Sequence, residues 1–544
     1  SEDPERNTWI RTLPGDIADI DFHPRDNNQA IAGSRDNGRA YYSQDGGLTW
    51  QIATATEIWG SGRVEVTYAV ANPKVVYASL QRNQGEIWRS TDGGKTYSKR
   101  GGRDRANSRP ASYLGDQGWY DNVIWAGDPT NENFVLVGGI DLWKSEDGGN
   151  NLQPISTWWA SPESAHADHH CIVAHPQFDS RTNKAVFFGN DGGVYTTEDV
   201  YSVGYPPHTD DSGSPIYKRG WRELNNGYGV TQFYAGAANA TTGVIIGGTQ
   251  DNGTLRYEGD AESWTEMFGG DGGWCAADPQ DNRYFYGEYV YLNIHRSSDG
   301  GQKSEYISGQ YWDGRRWAWK NPPYRIEDAY NSQALFIAPF VLDSNNPQRI
   351  LAGGISLWRT NDARTPNTNS TGPRWQKIKS SDGRGIPISA IAVARGNDNL
   401  IWVGHSDGAI FKTLNGTSPI PSWQKINRSV PEQNRLSVDR FCTQISIDAL
   451  DHNIVYITYG GYSRGNVWKT TDGGSNWQNI GDSLPEAPVR AMTIHPQNSD
   501  FVYLGTEVGV FSSENGGLTW SPTNEGPTNC SVDDLFWMGT TLIA

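Results

Sequence analysis

Short apolar runs alternate with polar turns along the whole chain, and the runs come in pairs. Paired runs joined by a polar turn, often His/Asp-Pro followed by Asn or Asp, span 17–32, 64–79, 123–138, 171–189, 274–287, 388–404, 441–459 and 489–505. Two more divergent units start near Thr231 and Ala334. The typical pair is followed by a third short run, a glycine-rich turn and, in most copies, an aromatic residue, and the whole order returns about every 50 residues. Four strands per unit at that period predict a β-propeller blade.

The turn itself is the strongest repeat. Ser43-Gln44-Asp45-Gly46-Gly47-Leu48-Thr49-Trp50 returns at 90–97, 470–477 and 513–520, while 145–149 and 297–301 carry the turn without the closing aromatic. A hydroxyl and a carboxylate at this spacing can hydrogen-bond the turn's own N–H groups, and the glycines supply positive φ. The Asp of each turn therefore reads as structural, and the Trp or Tyr as a side chain buried over its blade.

Counting gives ten such units plus a split one. Trp9 stands where a fourth strand's aromatic belongs, and 532–544 reads as the first two strands of a unit, so an N-terminal strand closing the last blade would remove the free edges. A further hairpin of the full-length protein is expected beyond it. The expected fold is all-β: one ring of about ten four-stranded blades over 1–544. The alternative is two smaller propellers in tandem, with a seam in the irregular stretch 302–332.

Composition narrows the setting. The 23 Trp, 26 Tyr and 63 Gly against 3 Met suit aromatic-anchored strands and tight turns. A formal charge of -17, with no basic run, argues against a nucleic-acid partner. No apolar stretch is long enough for a transmembrane helix, and Ser1-Glu2-Asp3-Pro4 is no export leader. The expected location is extracellular, periplasmic or at the cell surface, after removal of a signal peptide. Cys171, Cys275, Cys442 and Cys530 show no metal-type or haem-type spacing and leave buried single thiols or one or two disulfides open.

The turns resemble those of the bacterial-neuraminidase (Asp-box) repeat superfamily, which includes sialidases, the ten-bladed luminal domain of sortilin and two-propeller xyloglucanases. Segments 169–176, 189–195, 232–234, 247–253 and 269–273 resemble a group of secreted bacterial proteins labelled sortilin-like or glycosyl-hydrolase-like. That resemblance implies a fold, not a reaction. The arginine cluster and Arg-Ile-Pro motif of sialidases are not matched; the nearest segment, Tyr324-Arg325-Ile326-Glu327, lacks the proline. The segment 34–41 is similar to the xyloglucanase segment that carries one catalytic Asp. The resemblance implies Asp36 as general base of an inverting hydrolysis, with Asp251 or Asp271 as the second carboxyl group.

In a four-stranded meander, the loop entering strand one and the loop joining strands two and three share one end, opposite the glycine-rich turns. That face collects Asp36, Asp116, Asp121, His166, Asp168, His169, Asp191, Asp251, Asp271, Glu288, Asp407, Arg440, Arg464 and Glu507, with Trp119, Tyr120, Tyr228, Phe233, Trp274 and Tyr289 as aromatics for a sugar or peptide. Strand alternation through 165–170 would put His166, Asp168 and His170 on one side as metal ligands, with His169 on the other. The turns 190–193, 250–253 and 270–273 are oxygen-rich in the way calcium accepts, and also ordinary tight-turn chemistry. The expected function is non-catalytic recognition or assembly, holding a protein or glycan partner on this face; the alternative is an inverting glycoside hydrolase.

Overall fold

The computed structural model describes residues 10–55, 60–229, 231–260, 263–426, 436, 439–523, 526–527 and 529–544. Trp9, and with it the proposed N-terminal closing strand, lies outside the described residues. The chain is all-β, with one four-residue helix, Glu327–Tyr330, and one 3-10 turn, Trp158–Ala160, among the described residues. No helix of the described residues is long and apolar enough to cross a membrane.

Ten antiparallel four-stranded meanders carry the chain. They span 17–52, 64–99, 123–154, 169–223, 233–268, 275–306, 340–379, 388–425, 442–479 and 489–522. Within each, the strands pair in sequence order, as the paired apolar runs predict, although in the fourth a separate hairpin, 208–209 with 215–216, intervenes before the last strand. A two-stranded hairpin, Phe536–Met538 with Thr541–Ile543, follows the tenth.

The chain divides into two compact units, 1–230 and 231–544. The first unit holds four meanders, two of them extended by a short parallel strand: Thr54–Ala55 beside 96–97 and Arg103–Asp104 beside 151–152. The second unit holds the other six and the hairpin. The irregular stretch 302–332 lies inside this second unit, where Ile307, Ile326 and Ala329 are buried in its core. First strands touch from one meander to the next within each unit, and Phe536–Met538 touches Phe233–Ala238. Trp537 Nε1 donates to Thr493 Oγ1 at 3.0 Å and to the Ile494 carbonyl at 3.1 Å, tying the hairpin to the tenth meander as well.

Second strands are deeply buried, Val76–Leu80 and Val455–Tyr459 between the meanders on either side of them. Ala30–Ser34, Val76–Leu80 and Val455–Tyr459 are buried throughout, which is why they read as unbroken runs rather than alternating ones. Close approach sets the glycines there: a Cβ on Gly33 would stand 2.0 Å from the Val64 carbonyl oxygen, and one on Gly248 2.0 Å from that of Gly273.

The repeated turn joins strands three and four. In the second meander Ser90 Oγ accepts the Gly94 N–H at 3.0 Å and donates to Asp92 Oδ1 at 2.7 Å, while Asp92 Oδ1 accepts the Thr96 N–H at 2.9 Å. The first glycine, Gly93, donates to the Lys74 carbonyl at 2.8 Å, locking the turn to the hairpin between strands one and two. Gly46 to Asn28, Gly148 to Asn133, Gly300 to Arg283, Gly473 to Asn453 and Gly516 to Asp500 repeat that bond. Two further turns escape the sequence pattern because the glycine pair is absent (Ala363-Arg364) or incomplete (Gly416-Thr417) and an insertion follows. Thr360 Oγ1 donates to Asp362 Oδ1, which accepts the Arg374 N–H, and Thr413 Oγ1 donates to Asn415 Oδ1, which accepts the Ser422 N–H.

Fourth-strand aromatics tie neighbouring meanders together. Trp221, Trp375, Trp423 and Trp520 each donate Nε1–H to a carbonyl at the end of the preceding meander, those of Ile155, Ile307, Ile378 and Ile480. Tyr97 and Trp477 are buried as expected, whereas Trp50 and Trp520 are only half-buried, because the fourth strand is the outermost and two residues long there. The four thiols are free, with Cys171 and Cys530 exposed.

Replacing Ser90 by Ala strands the buried Gly94 N–H and should cost about 1–3 kcal/mol, read from the urea midpoint. Thr91→Ala, an exposed neighbour in the same turn, should leave the midpoint unchanged. Equal midpoints for the two variants would refute the structural role of the hydroxyl.

Candidate functional site

Three loops of the first unit meet at the end of the third and fourth meanders away from the repeated turns. They are the segment 113–122 leading into Val123–Trp125, the segment 155–168 leading into His169–Ala174, and the turn 190–193. Gln117 Nε2 donates to Asp168 Oδ1 at 3.0 Å, and the Asp191 N–H donates to the Asp168 carbonyl at 3.3 Å. Tyr120 donates its hydroxyl to Asp191 Oδ2 at 2.7 Å, and His170 Nε2 meets Asp191 Oδ1 at 2.7 Å. The Tyr120 and His170 rings stand edge to face at 4.9 Å. Asn225 secures the 190–193 turn from a third element, accepting the Val194 N–H and donating to the Gly192 carbonyl.

The alternation expected through 165–170 does not hold. The strand begins at His169, and Asp168 precedes it in a left-handed conformation, φ 64°, which the short polar side chain tolerates. His166 packs instead against Gly192, where a Cβ would meet its ring at 2.4 Å. His169, expected on the binding face, is fully buried, and neither ring nitrogen has a hydrogen-bond partner. Burial, with the His166 and His170 charges, pushes it down to about 3.

Asp121 is also fully buried, its two carboxyl oxygens lack a hydrogen-bond partner, and its carboxyl lies against that of Asp168. Burial and the Asp168 carboxyl push it up to about 8. Burial likewise raises Asp168. Although burial works against it, Asp191 is held below the usual carboxylate range by the bonds from His170 and Tyr120. Asp141, which sequence reading passed over, accepts the Ser156 hydroxyl and the Trp158 N–H and is pushed up to about 6 by burial. Trp119, Trp158 and Trp159 expose between 48% and 60% of their surface on these loops, and Tyr228, on the segment after Arg222–Glu223, is exposed as well. The adjacent Trp158-Trp159 pair was the visible signal missed, because it lies in a connection rather than a strand.

Beneath these loops, Arg63 donates to the Tyr120 carbonyl and pairs with Glu65. Glu65 is pushed up to about 8 by burial and the neighbouring Asp19, against the opposing Arg63 charge.

The remaining expected residues separate. Asp36 lies exposed on the loop between strands two and three of the first meander, and Asp116 is exposed and bonded by Gln84. In the second unit the Asp251 N–H donates to Asp271 Oδ1 at 3.0 Å. Trp274 is half-buried. Glu288, expected on the surface, is sealed off; its carboxyl accepts the N–H groups of Leu292 and Ala338 and clamps two loops together. Asp407 pairs with Arg384, and Arg464 with Glu486. Arg440 braces its own neighbourhood, donating to Asn466 Oδ1 and to the carbonyls of Arg464 and Gly465. An apolar hollow of about 700 Å³ between the fifth meander and the hairpin is lined by Phe233, Trp264, Phe536 and Ile543, and its half-buried Asp534 already accepts the Gly236 N–H.

No family model and no curated protein matches the chain. Among solved structures it is similar to a GH74 enzyme of Niastella koreensis, at 14% identity over 95% of this chain and 79% of that one, TM-score 0.25. It is similar to the GH74 xyloglucanase of Xanthomonas campestris at 15% identity, over 94% and 80%, TM-score 0.30. It is also similar to an extracellular domain from B. thetaiotaomicron at 11% identity, over 98% and 68%, TM-score 0.40.

Because Glu65 holds its proton more tightly when folded, the stability it contributes is complete below its ordinary 4.5 and is lost as pH rises through about 8. Chemical denaturation across that window should show a falling midpoint in the wild type and a flatter profile in Glu65→Gln. Identical pH profiles would rule out a raised Glu65.

Proposed function

We propose that the chain is a secreted Asp-box propeller protein that recognises an extended glycan on the loop face of its first unit, without hydrolysing it. The observation that carries this reading is the exposed Trp119 and Tyr120 pair, ring centroids 5.6 Å apart, set directly beside the Asp191 carboxylate. Sugar rings offer apolar C–H faces and outward hydroxyls, and this surface offers flat aromatic faces with fixed acceptors between them. Trp158 and Trp159 extend the aromatic surface along the next loop. The hairpin's contacts with both the fifth and the tenth meanders support reading the second unit as a ring in its own right.

Inverting hydrolysis is the second reading, favoured by the exposed position of Asp36 on a loop of the kind the xyloglucanase resemblance assigns to a base. The two are separated by one set of measurements. Affinity electrophoresis in xyloglucan and mixed-linkage β-glucan should show retardation of the wild type. Trp119→Ala should weaken it about tenfold, the weight of one lost stacking contact. Reducing-end assays on the same glycans and sialic-acid release from sialosides should show no turnover, and Asp36→Ala should change stability by about 0.5 kcal/mol or less. Turnover that disappears in Asp36→Ala would replace recognition by hydrolysis.

A further inference from the structure

We infer that Asp121, Asp168 and Asp191 bind a calcium ion that cross-links the three loops of the first unit. The three carboxyl groups come from three separate loops, and among the described residues no Lys or Arg forms an ion pair with any of them; the His170 imidazole meets Asp191. An oxygen of Asp168 and one of Asp191 lie within 4.8 Å of each other. Two oxygens on one calcium ion, each about 2.3–2.6 Å from it, can stand that far apart.

Proximity of acids alone would be weak ground. Asp121 supplies the independent observation: a fully buried carboxyl, neither oxygen of which meets a hydrogen-bond donor, set against the Asp168 carboxyl. A buried polar group is otherwise satisfied in a folded protein, and two facing carboxyls with no donor between them need a proton or a cation to sit together. Lone pairs are free on both Asp121 oxygens, and Asp168 spends one known bond, from Gln117. The donors are all carboxyl oxygens, the chemistry of a hard cation. Zinc is disfavoured because His170 Nε2 is engaged by Asp191, His166 is packed on Gly192, and His169 lies on the buried strand.

The consequence extends the glycan reading, on which the cation site itself does not depend. Tyr120 is the residue before Asp121 and bonds Asp191, so an ion joining these acids fixes the orientation of the Trp119–Tyr120 surface.

The test uses the full chain stripped with EDTA and titrated with calcium chloride alone, by calorimetry and by thermal unfolding. The expected result is one calcium per chain and a melting temperature that climbs with calcium concentration. Asp121→Asn and, separately, Asp168→Asn should each weaken binding by about tenfold or more while remaining folded, since either amide removes a carboxyl–carboxyl contact. Asp36→Asn, an exposed acid elsewhere, should bind as the wild type does. No heat and no thermal shift at millimolar calcium would overturn the site and show that a proton alone joins Asp121 to Asp168. Undiminished binding in Asp121→Asn, or zinc binding tighter than calcium, would overturn the assignment equally. No glycan is present, so failure here leaves the glycan measurement standing, and failure there leaves this one.

Discussion

The structure depends on one hydrogen-bonded turn used again and again. A Ser or Thr hydroxyl bridges a carboxylate or amide two residues on and the N–H four residues on, and the glycine just before that N–H donates to the carbonyl of the turn between strands one and two. That last bond converts a floppy connection into the rigid outer end of a meander. With it, strand four begins at a set height, and its Trp can reach the carbonyl at the end of the preceding meander. Local turn chemistry thus becomes sheet-to-sheet spacing. The carboxylates concerned are consumed by this work, which is why Asp45, Asp92, Asp147, Asp299 and Asp472 belong to architecture rather than chemistry.

Because one end of every meander is spent on that lock, chemical variety collects at the other. There the loops differ in length and sequence, and in the first unit they bring Asp121, Asp168 and Asp191 together under exposed aromatic rings. Such an arrangement is costly unless something compensates the charge. Elsewhere the protein compensates it with backbone N–H groups, as at Glu288, or with guanidinium groups, as at Asp407. The Asp121 carboxyl has neither, and this contrast within one chain singles it out.

Much of the fold was legible because its signals are local. Strand pairs, their order and most of the turns follow from apolar runs and the Ser/Thr-x-Asp-Gly-Gly spacing. The turns at Thr360 and Thr413 were not, because insertions separate the capping residue from the N–H it binds while leaving the three-dimensional bond intact. The grouping of His166, Asp168 and His170 on one side failed because strand alternation was extended four residues too far, across a left-handed turn that no hydropathy pattern announces. Glu288 and His169 looked like surface chemistry because polar residue type says nothing of depth.

The sequence by itself determined the all-β class, the meander order, the turn chemistry and the end of each meander on which variable loops would gather. All of these are set by contacts within some fifty residues of chain, where residue type and spacing control the geometry directly. Only the tertiary structure decided the division into two compact units, the depth of Asp121 and His169, and the meeting of Asp121 with Asp168 and of Tyr120 with Asp191. Those depend on how separate meanders stack. Stacking is governed by side-chain volume and close backbone approach at positions such as Gly33 and Gly248, whose partners lie on another sheet.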